Sequence, residues 1–404
     1  MFDGTALRPR RTGVGYYTEH LLRHLAKEAA DHELIVVSNR PIDTTAPLPT
    51  NVRVVTSRAG APRLVWMQAL APRTLREIRP DVAHFTNGMV PLATSVPTVV
   101  TIHDMSLTLF PQYHPLRRVV LNRPLVDIAA RRADAVITVS ESAKSDIVRL
   151  YRLPSDRVHV VHEAAAPSFR RVRDREALDR VRGRYGLGDR IILYVGTIEP
   201  RKNLAKLVHA FASRRRIGDL NHQLVCVGPY GWLSRDIERG IEHLGLADAV
   251  RFTGYVPFDD LPALYSLAEM FVFPSVYEGF GLPVIEAMAC GVPVITGRTS
   301  SLTEIAGGAI EHVDRLDSES LGDAMVALAR NPDRRAHLAA LGLDRAGMFS
   351  WDRAARATLD VYKQAAKQAP GAVAREPVAA FADVAPEPVT RPHAAARSRH
   401  LQVP

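Results

Sequence analysis

Met270 to Thr296 reads MFVFPSVYEGFGLPVIEAMACGVPVIT. It opens on a short apolar run, Met270–Pro274, and passes through a loop containing Gly279 and Gly281. Pro283 is placed as a first helical residue, Gly291 closes a helix of a couple of turns, and a second apolar run follows at Pro293–Thr296. Proline suits a helix start because its missing N–H had no intrahelical partner, and glycine suits the left-handed residue just past a helix end. Strand, tight loop, short helix and strand together make one βαβ unit. The runs are apolar without alternation, as strands buried on both faces of a parallel sheet are.

The same pattern extends in both directions. Further strand-like runs lie at 191–196, 223–228, 250–253 and 309–313, and an earlier series lies at 34–38, 52–56, 82–86, 98–103, 135–140 and 158–161. Helical patterns fill the gaps, such as 15–29, with a face marked by Tyr16, Leu21, Leu22 and Leu25, and 117–132. Two βαβ series joined near 163–185 predict an α/β protein of two Rossmann-like, doubly wound domains facing each other across a cleft. Their expected bounds are 1–165 and 166–363. Few residues precede Leu7, so the first strand is expected to be short or cut by the start of the sequence. Residues 364–404, with 12 Ala and 6 Pro and no apolar period, are expected to be a disordered tail.

Composition narrows the function. The chain has 404 residues, 47% hydrophobic and 24% charged, the balance of a globular protein with large cores. No run approaches the roughly 18–20 apolar residues of a membrane span. Cys226 and Cys290 offer neither a disulfide framework nor metal-ligand spacing, which points to the cytoplasm or the cytoplasmic face of a membrane. The net charge is +9, carried by residues 1–175, while 176–363 sum to −2 and 364–404 to +2. An anionic partner for the first half follows, either nucleic acid or an anionic membrane surface. Helix-turn-helix, zinc-finger and aromatic RNA-binding signatures are absent, which argues against nucleic acid. Asp259-Asp260 is not a metal motif, and no metal is expected.

Four stretches carry residues suited to chemistry. Glycines 279 and 281 let backbone N–H groups approach a ligand, and the following helix N-terminus favours an anion such as phosphate. Glu278 and Glu286 flank that anion site, where carboxylates are costly unless they accept hydrogen bonds from sugar or ribose hydroxyls. Arg201 and Lys202 follow the strand ending at Gly196, ahead of Asn203 as an N-cap. Two cations at a strand's carboxyl end suit a diphosphate. His103-Asp104 ends an N-terminal strand, and Gly13 and Gly15 form a glycine loop entering a helix. That loop has Thr18 where a dinucleotide fingerprint has its third glycine, which weakens a nicotinamide reading.

Taken together, these motifs over residues 5–363 resemble the retaining glycosyltransferases of the GT-B fold, family 4. Glu278 and Glu286 match that family's E-x7-E motif. The resemblance implies that Glu278 contacts the donor sugar and Glu286 the nucleotide ribose, with the amides of Gly279, Phe280, Gly281 and Leu282 facing sugar and diphosphate. It implies a diphosphate clamp from Arg201 and Lys202, a sugar contact for His103, and close approach of Gly13 and Gly15 to the donor across the cleft. Backbone near Tyr255 and Val256 would cradle the base, and Glu304 would lie near the nucleotide pocket. Ser140 reads as a helix cap. One departure stands out: His162-Glu163-Ala164 occupies the place where the family often has Asn-Gly-Val.

The 108–114 segment after His-Asp, with 198–203, looks most like mannosyltransferases of bacterial surface polysaccharide assembly. The implied activity moves a hexose from a nucleotide-diphosphate sugar to a glycan or polyprenyl-linked acceptor, with no cofactor. GDP-mannose is the preferred donor and a UDP-sugar the alternative. A nucleotide-sugar epimerase on the same scaffold would need additional acid/base residues. The basic helix region of Arg117, Arg118, Arg123, Arg131 and Arg132, with Leu121, Leu125 and Ile128 inward, is expected to face the inner leaflet as a peripheral contact.

Overall fold

The computed structural model describes residues 1–56, 61–94, 96–232 and 244–368. The first sheet contains β1 (Phe2–Asp3), β2 (Leu34–Ser38), β3 (Val52–Thr56), β4 (Ala83–Phe85), β5 (Thr98–Ile102), β6 (Ala135–Thr138) and β7 (Val158–Val160). Their order is β3-β2-β1-β4-β5-β6-β7, and every pair is parallel. The second sheet contains β8 (Ile191–Val195), β9 (Gln223–Val227), β10 (Val250–Gly254), β11 (Met270–Phe273), β12 (Val294–Gly297) and β13 (Glu311–Val313). It is also parallel, in the order β10-β9-β8-β11-β12-β13. The expectation of two doubly wound units holds. In each sheet the strand order reverses between the first and fourth strands, and the carboxyl ends of those strands open onto a ligand crevice.

β8, β11 and β12 are buried throughout, as their unbroken apolar runs require. The edge strand β3 is not, with Val54 exposed. β1 is only two residues long, yet it sits between β2 and β4, with Phe2 aligned to both Val36 and His84. The first long helix runs Gly13–Glu28, so it takes in both glycines of its loop. The short helix after the glycine-rich loop spans Leu282–Ala289, which puts Pro283 second in the helix.

The last helix, Trp351–Gln368, packs against the first helix and on β5 and β6, returning the chain to the N-terminal sheet. Residues 364–368 are therefore helical, not the start of a disordered tail; the remainder of that expected tail lies outside the described residues. No helix among the described residues is long and apolar enough to cross a membrane.

Candidate active site

The centre of the site lies where β8 and β11 run side by side. After β8 the chain makes a 3-10 turn at Pro200–Lys202, and after β11 it makes the loop that holds Glu278. The two loops are locked together. Arg201 Nη1 donates to Tyr277 O at 2.5 Å and lies 3.2 Å from Glu278 Oε2, while its Nη2 lies 2.8 Å from Glu199 Oε1. Lys202 Nζ donates to Glu278 Oε1 at 2.5 Å and stands 5.0 Å from the centre of the Phe273 ring. Ser275 Oγ also donates to Glu278 Oε1, at 2.5 Å. Asn203 does not act as the expected side-chain cap. It takes a left-handed φ of 58° that turns the chain into the next helix, and its amide donates instead to Leu316 O at 3.4 Å.

The charges support one another. Burial works against ionising Glu278, but Lys202 and Arg201 hold its carboxyl below the usual glutamate range. Burial likewise opposes the Arg201 charge, and Glu278, Asp104 and Glu199 more than restore it. Glu286 is different. Its Oε2 accepts from Tyr265 Oη at 2.9 Å, and burial, with Glu163 adding to it, pushes its carboxyl up to about 7.

The N-terminal domain closes onto this loop. A Cβ built on Gly279 would lie 1.8 Å from His103 O, so any side chain there would collide with the strand end opposite. Gly281 has φ 102°, which favours glycine, and begins the turn into the short helix. Ser140 caps its own helix by accepting from Ala143 N at 3.0 Å, as its sequence placement implies, and also donates to Gly279 O at 2.6 Å. Gly13 comes near Leu282, with 3.9 Å from its built Cβ to Leu282 Cδ1. Gly15 serves helix packing: a Cβ there would stand 2.9 Å from Ala6 O and 3.1 Å from Arg11. Tyr255 and Val256 follow β10, and Tyr16 of the N-terminal domain stacks on Phe258 at 4.5 Å.

His103 follows β5. Its Nε2 donates to Thr86 O at 2.9 Å, and its ring meets Tyr17 edge-on at 4.6 Å. Its Nδ1 lies 3.3 Å from Glu163 Oε1. With Nε2–H committed to a carbonyl, a hydrogen bond at Nδ1 needs a further proton shared with Glu163. Sequence reasoning missed Glu163 and Glu199 as site residues. Glu163 carried a signal, since it stands where the family often has glycine; Glu199 carried only its place beside Pro200-Arg201-Lys202.

Glu304, expected near the nucleotide pocket, has its carboxylate engaged by groups of the N-terminal domain. Its carboxylate accepts from the amides of Glu141 and Ser142 at 3.0 and 3.1 Å, and from His162 Nε2 at 2.8 Å, so it caps an N-terminal-domain helix from the other domain. Among the described residues no group of three or more His, Cys, Asp and Glu could hold a metal ion.

Two family models cover this geometry: Glycosyltransferase Family 4 over residues 11–168 and Glycosyl transferases group 1 over 177–342. The chain is 31% identical over 367 residues to O-antigen chain mannosyltransferase B of Escherichia coli, spanning 87% of this chain and 96% of that protein. The chain belongs to glycosyltransferase family 4. O-antigen chain mannosyltransferase RfbU of Salmonella typhimurium is 28% identical over 336 residues, covering 80% of this chain and 88% of that one. Among solved structures, sucrose-phosphate synthase from Thermosynechococcus elongatus superposes with a TM-score of 0.71 at 22% identity, over 90% of this chain and 98% of that one. That likeness shows the GT-B fold. In this family 4 glycosyltransferase, Arg201, Lys202 and Glu278 form one contact cluster, and Gly279 sits against the backbone of His103.

Proposed function

We propose that the chain is a retaining mannosyltransferase that moves mannose from GDP-mannose to a glycan or polyprenyl-linked glycan in surface polysaccharide synthesis. The observation that carries this is the Arg201–Lys202–Glu278 cluster at the switch point of the second sheet, against His103 of the first. The mannosyltransferase relatives support the sugar.

Donor binding exchanges partners in the cluster. Glu278 turns from Lys202 to the hydroxyls of the sugar, and the released Lys202, with Arg201 and the helix N-terminus at Leu282, faces the diphosphate. Glu286 accepts from ribose hydroxyls. The bond from the sugar's anomeric carbon to the phosphate oxygen breaks, and its electron pair leaves with the nucleoside diphosphate. The acceptor oxygen bonds to that carbon on the same face, and its proton passes to the departing phosphate oxygen. Arg201 and Lys202 stabilise the growing negative charge, so the step is metal-independent.

Docking on an anionic inner leaflet completes the proposal, with a changed surface. In the helix Leu116–Arg132, Leu121 faces outward and not inward: Leu116, Val120 and Leu121 are 78%, 61% and 52% exposed. Arg117, Arg118 and Arg123 are exposed beside them. Arg131 instead pairs with Asp127 at 2.8 Å, and Arg132 Nη1 donates to Leu92 O at 2.7 Å. Exposed apolar side chains among arginines suit an interface between lipid headgroups and acyl chains.

A hydrolysis screen of the purified protein against GDP-mannose, other GDP-sugars and UDP-sugars tests the donor. Release of GDP from GDP-mannose above the others is expected; preferential release of UDP overturns the donor assignment. Sedimentation with anionic and neutral vesicles tests the surface, and Leu116→Asp with Arg117→Glu should abolish the anionic preference. Equal binding to both vesicles overturns membrane docking.

A further inference from the structure

Asp104, next to His103, begins a hydrogen-bonded chain that the reaction above does not use. Burial opposes its ionisation, but Arg201 and two bonds from Ser106 hold its carboxyl below the usual range. Asp104 Oδ1 accepts from Ser106 N at 2.9 Å and from Ser106 Oγ at 2.7 Å. The Ser106 hydroxyl proton is therefore committed. His114 Nε2 lies 3.1 Å from the same Ser106 Oγ, and with that proton spent, Nε2 must be the donor. The tautomer is thereby settled: Nε2 carries the hydrogen and Nδ1 presents a bare lone pair.

That lone pair has nothing to bind. His114 is buried, and its Nδ1 has no hydrogen-bond partner among the described residues. Burial, with Arg118 and Arg201 nearby, lowers the ring's pKa to about 4, so it stays neutral at physiological pH. The ring lies against Trp232 of the other domain, with ring centres 5.6 Å apart, and Trp232 Nε1 donates to Tyr113 O at 2.6 Å. Arg118 covers the same indole at 4.8 Å. A buried acceptor left unmet is costly. The Trp232 indole against the ring comes from the other domain.

We propose that His114 Nδ1 accepts a hydrogen bond from a hydroxyl of the incoming sugar acceptor, in a subsite floored by Asp104, Ser106 and His114 and roofed by Trp232. A sugar hydroxyl is a donor of the required kind, and an apolar indole wall suits a pyranose face. The inference rests on the glycosyl-transfer reading above and deepens it by placing the acceptor.

Three variants of the full chain separate the two ring nitrogens. His114→Gln can still donate to Ser106 but leaves the Nδ1 position empty. His114→Asn places an amide oxygen near Nδ1 but gives up the Ser106 bond, and His114→Phe keeps only the ring. Transfer to octyl α-mannoside is followed at saturating donor, with donor KM and Tm measured for each variant. The acceptor KM should rise about 10-fold in the Gln and Phe variants and stay within about 3-fold in Asn, while donor KM moves less than 2-fold. An unchanged acceptor KM in Gln with a large rise in Asn shows a structural role through Ser106 and overturns the subsite, as does an equal rise in donor KM. Transfer by the native chain with no variant affected sinks the subsite and leaves the functional reading standing. A native chain that turns over no nucleotide sugar sinks that reading itself.

Discussion

Lys202 is held by Glu278 at 2.5 Å with little side-chain exposure, so its charge is already aimed at the site. If it acts on charge that grows as the glycosidic bond breaks, Lys202→Ala lowers kcat far more than it raises donor KM. Loss of one such contact typically costs about 2.7–4 kcal/mol, or roughly 10²–10³ in rate. Steady-state kinetics at saturating donor checks this; near-native kcat would show that Lys202 serves only the fold. Glu286 makes a pH prediction. Its carboxyl titrates at about 7 instead of the ordinary 4.5. Between those values the folded protein keeps a proton that the unfolded chain releases, so Glu286 lowers stability as pH rises across that window. The ionised form is the better acceptor for ribose hydroxyls, so donor KM should fall as pH rises through about 7, and Glu286→Gln should flatten that profile. Arg201, Lys202 and Glu278 were legible in the sequence as residues that follow strands, and Glu286 as one turn into the short helix. Glu163 showed only as a departure from the family pattern, and Glu199 not at all, because what marks each is a partner's position in space: His103 at another strand end of the first sheet for one, and a buried guanidinium for the other.

At the scale of elements, the loop after β11 and the end of β5 meet backbone to backbone. Gly279→Ala should keep each sheet folded, yet hold the domains apart, because a methyl group cannot share space with His103 O. Transfer should drop by at least 10², with far-ultraviolet circular dichroism unchanged; native activity would show that the loop yields easily. Glu304 bridges a helix N-terminus, with His162 joining from the linker region. Burial opposes its ionisation, and His162 and the two amides lower its pKa. Glu304→Ala should cost about 1 kcal/mol, or about 2–4 °C in Tm. Strand positions were readable from unbroken apolar runs, and the Ser140 cap from local spacing. The Glu304 cap was not, since its acceptor and donors lie far apart in the chain. Nor was the outward turn of Leu121, because helical spacing alone leaves the orientation of a half-apolar helix open.

The whole molecule is tied together by its last helix. Tyr362 Oη meets His84 Nδ1 at 2.6 Å, His84 Nε2 meets Thr101 Oγ1 at 2.7 Å, and Thr101 Oγ1 meets Tyr17 Oη at 3.0 Å, beneath His103. Burial drives the His84 pKa down to about 3, below the ordinary 6.5. Folding then excludes a proton that the unfolded chain takes up, so stability falls as pH drops from about 6.5 towards 3. Tyr362→Phe should leave His84 short of a partner and lower stability by about 1–3 kcal/mol in urea titrations. The sequence pattern showed two sheets and their facing arrangement, yet not this return of the chain, because an amphipathic helix does not reveal which core receives it. The proposed reaction is retaining transfer from a nucleotide-diphosphate sugar at the Arg201–Lys202–Glu278 cluster. Its most direct test is proton NMR of the anomeric signals during reaction of the purified protein with GDP-mannose and octyl α-mannoside. An α-linked disaccharide appearing as GDP is released is the expected result, and a β-linked product, or an untouched donor, would contradict it.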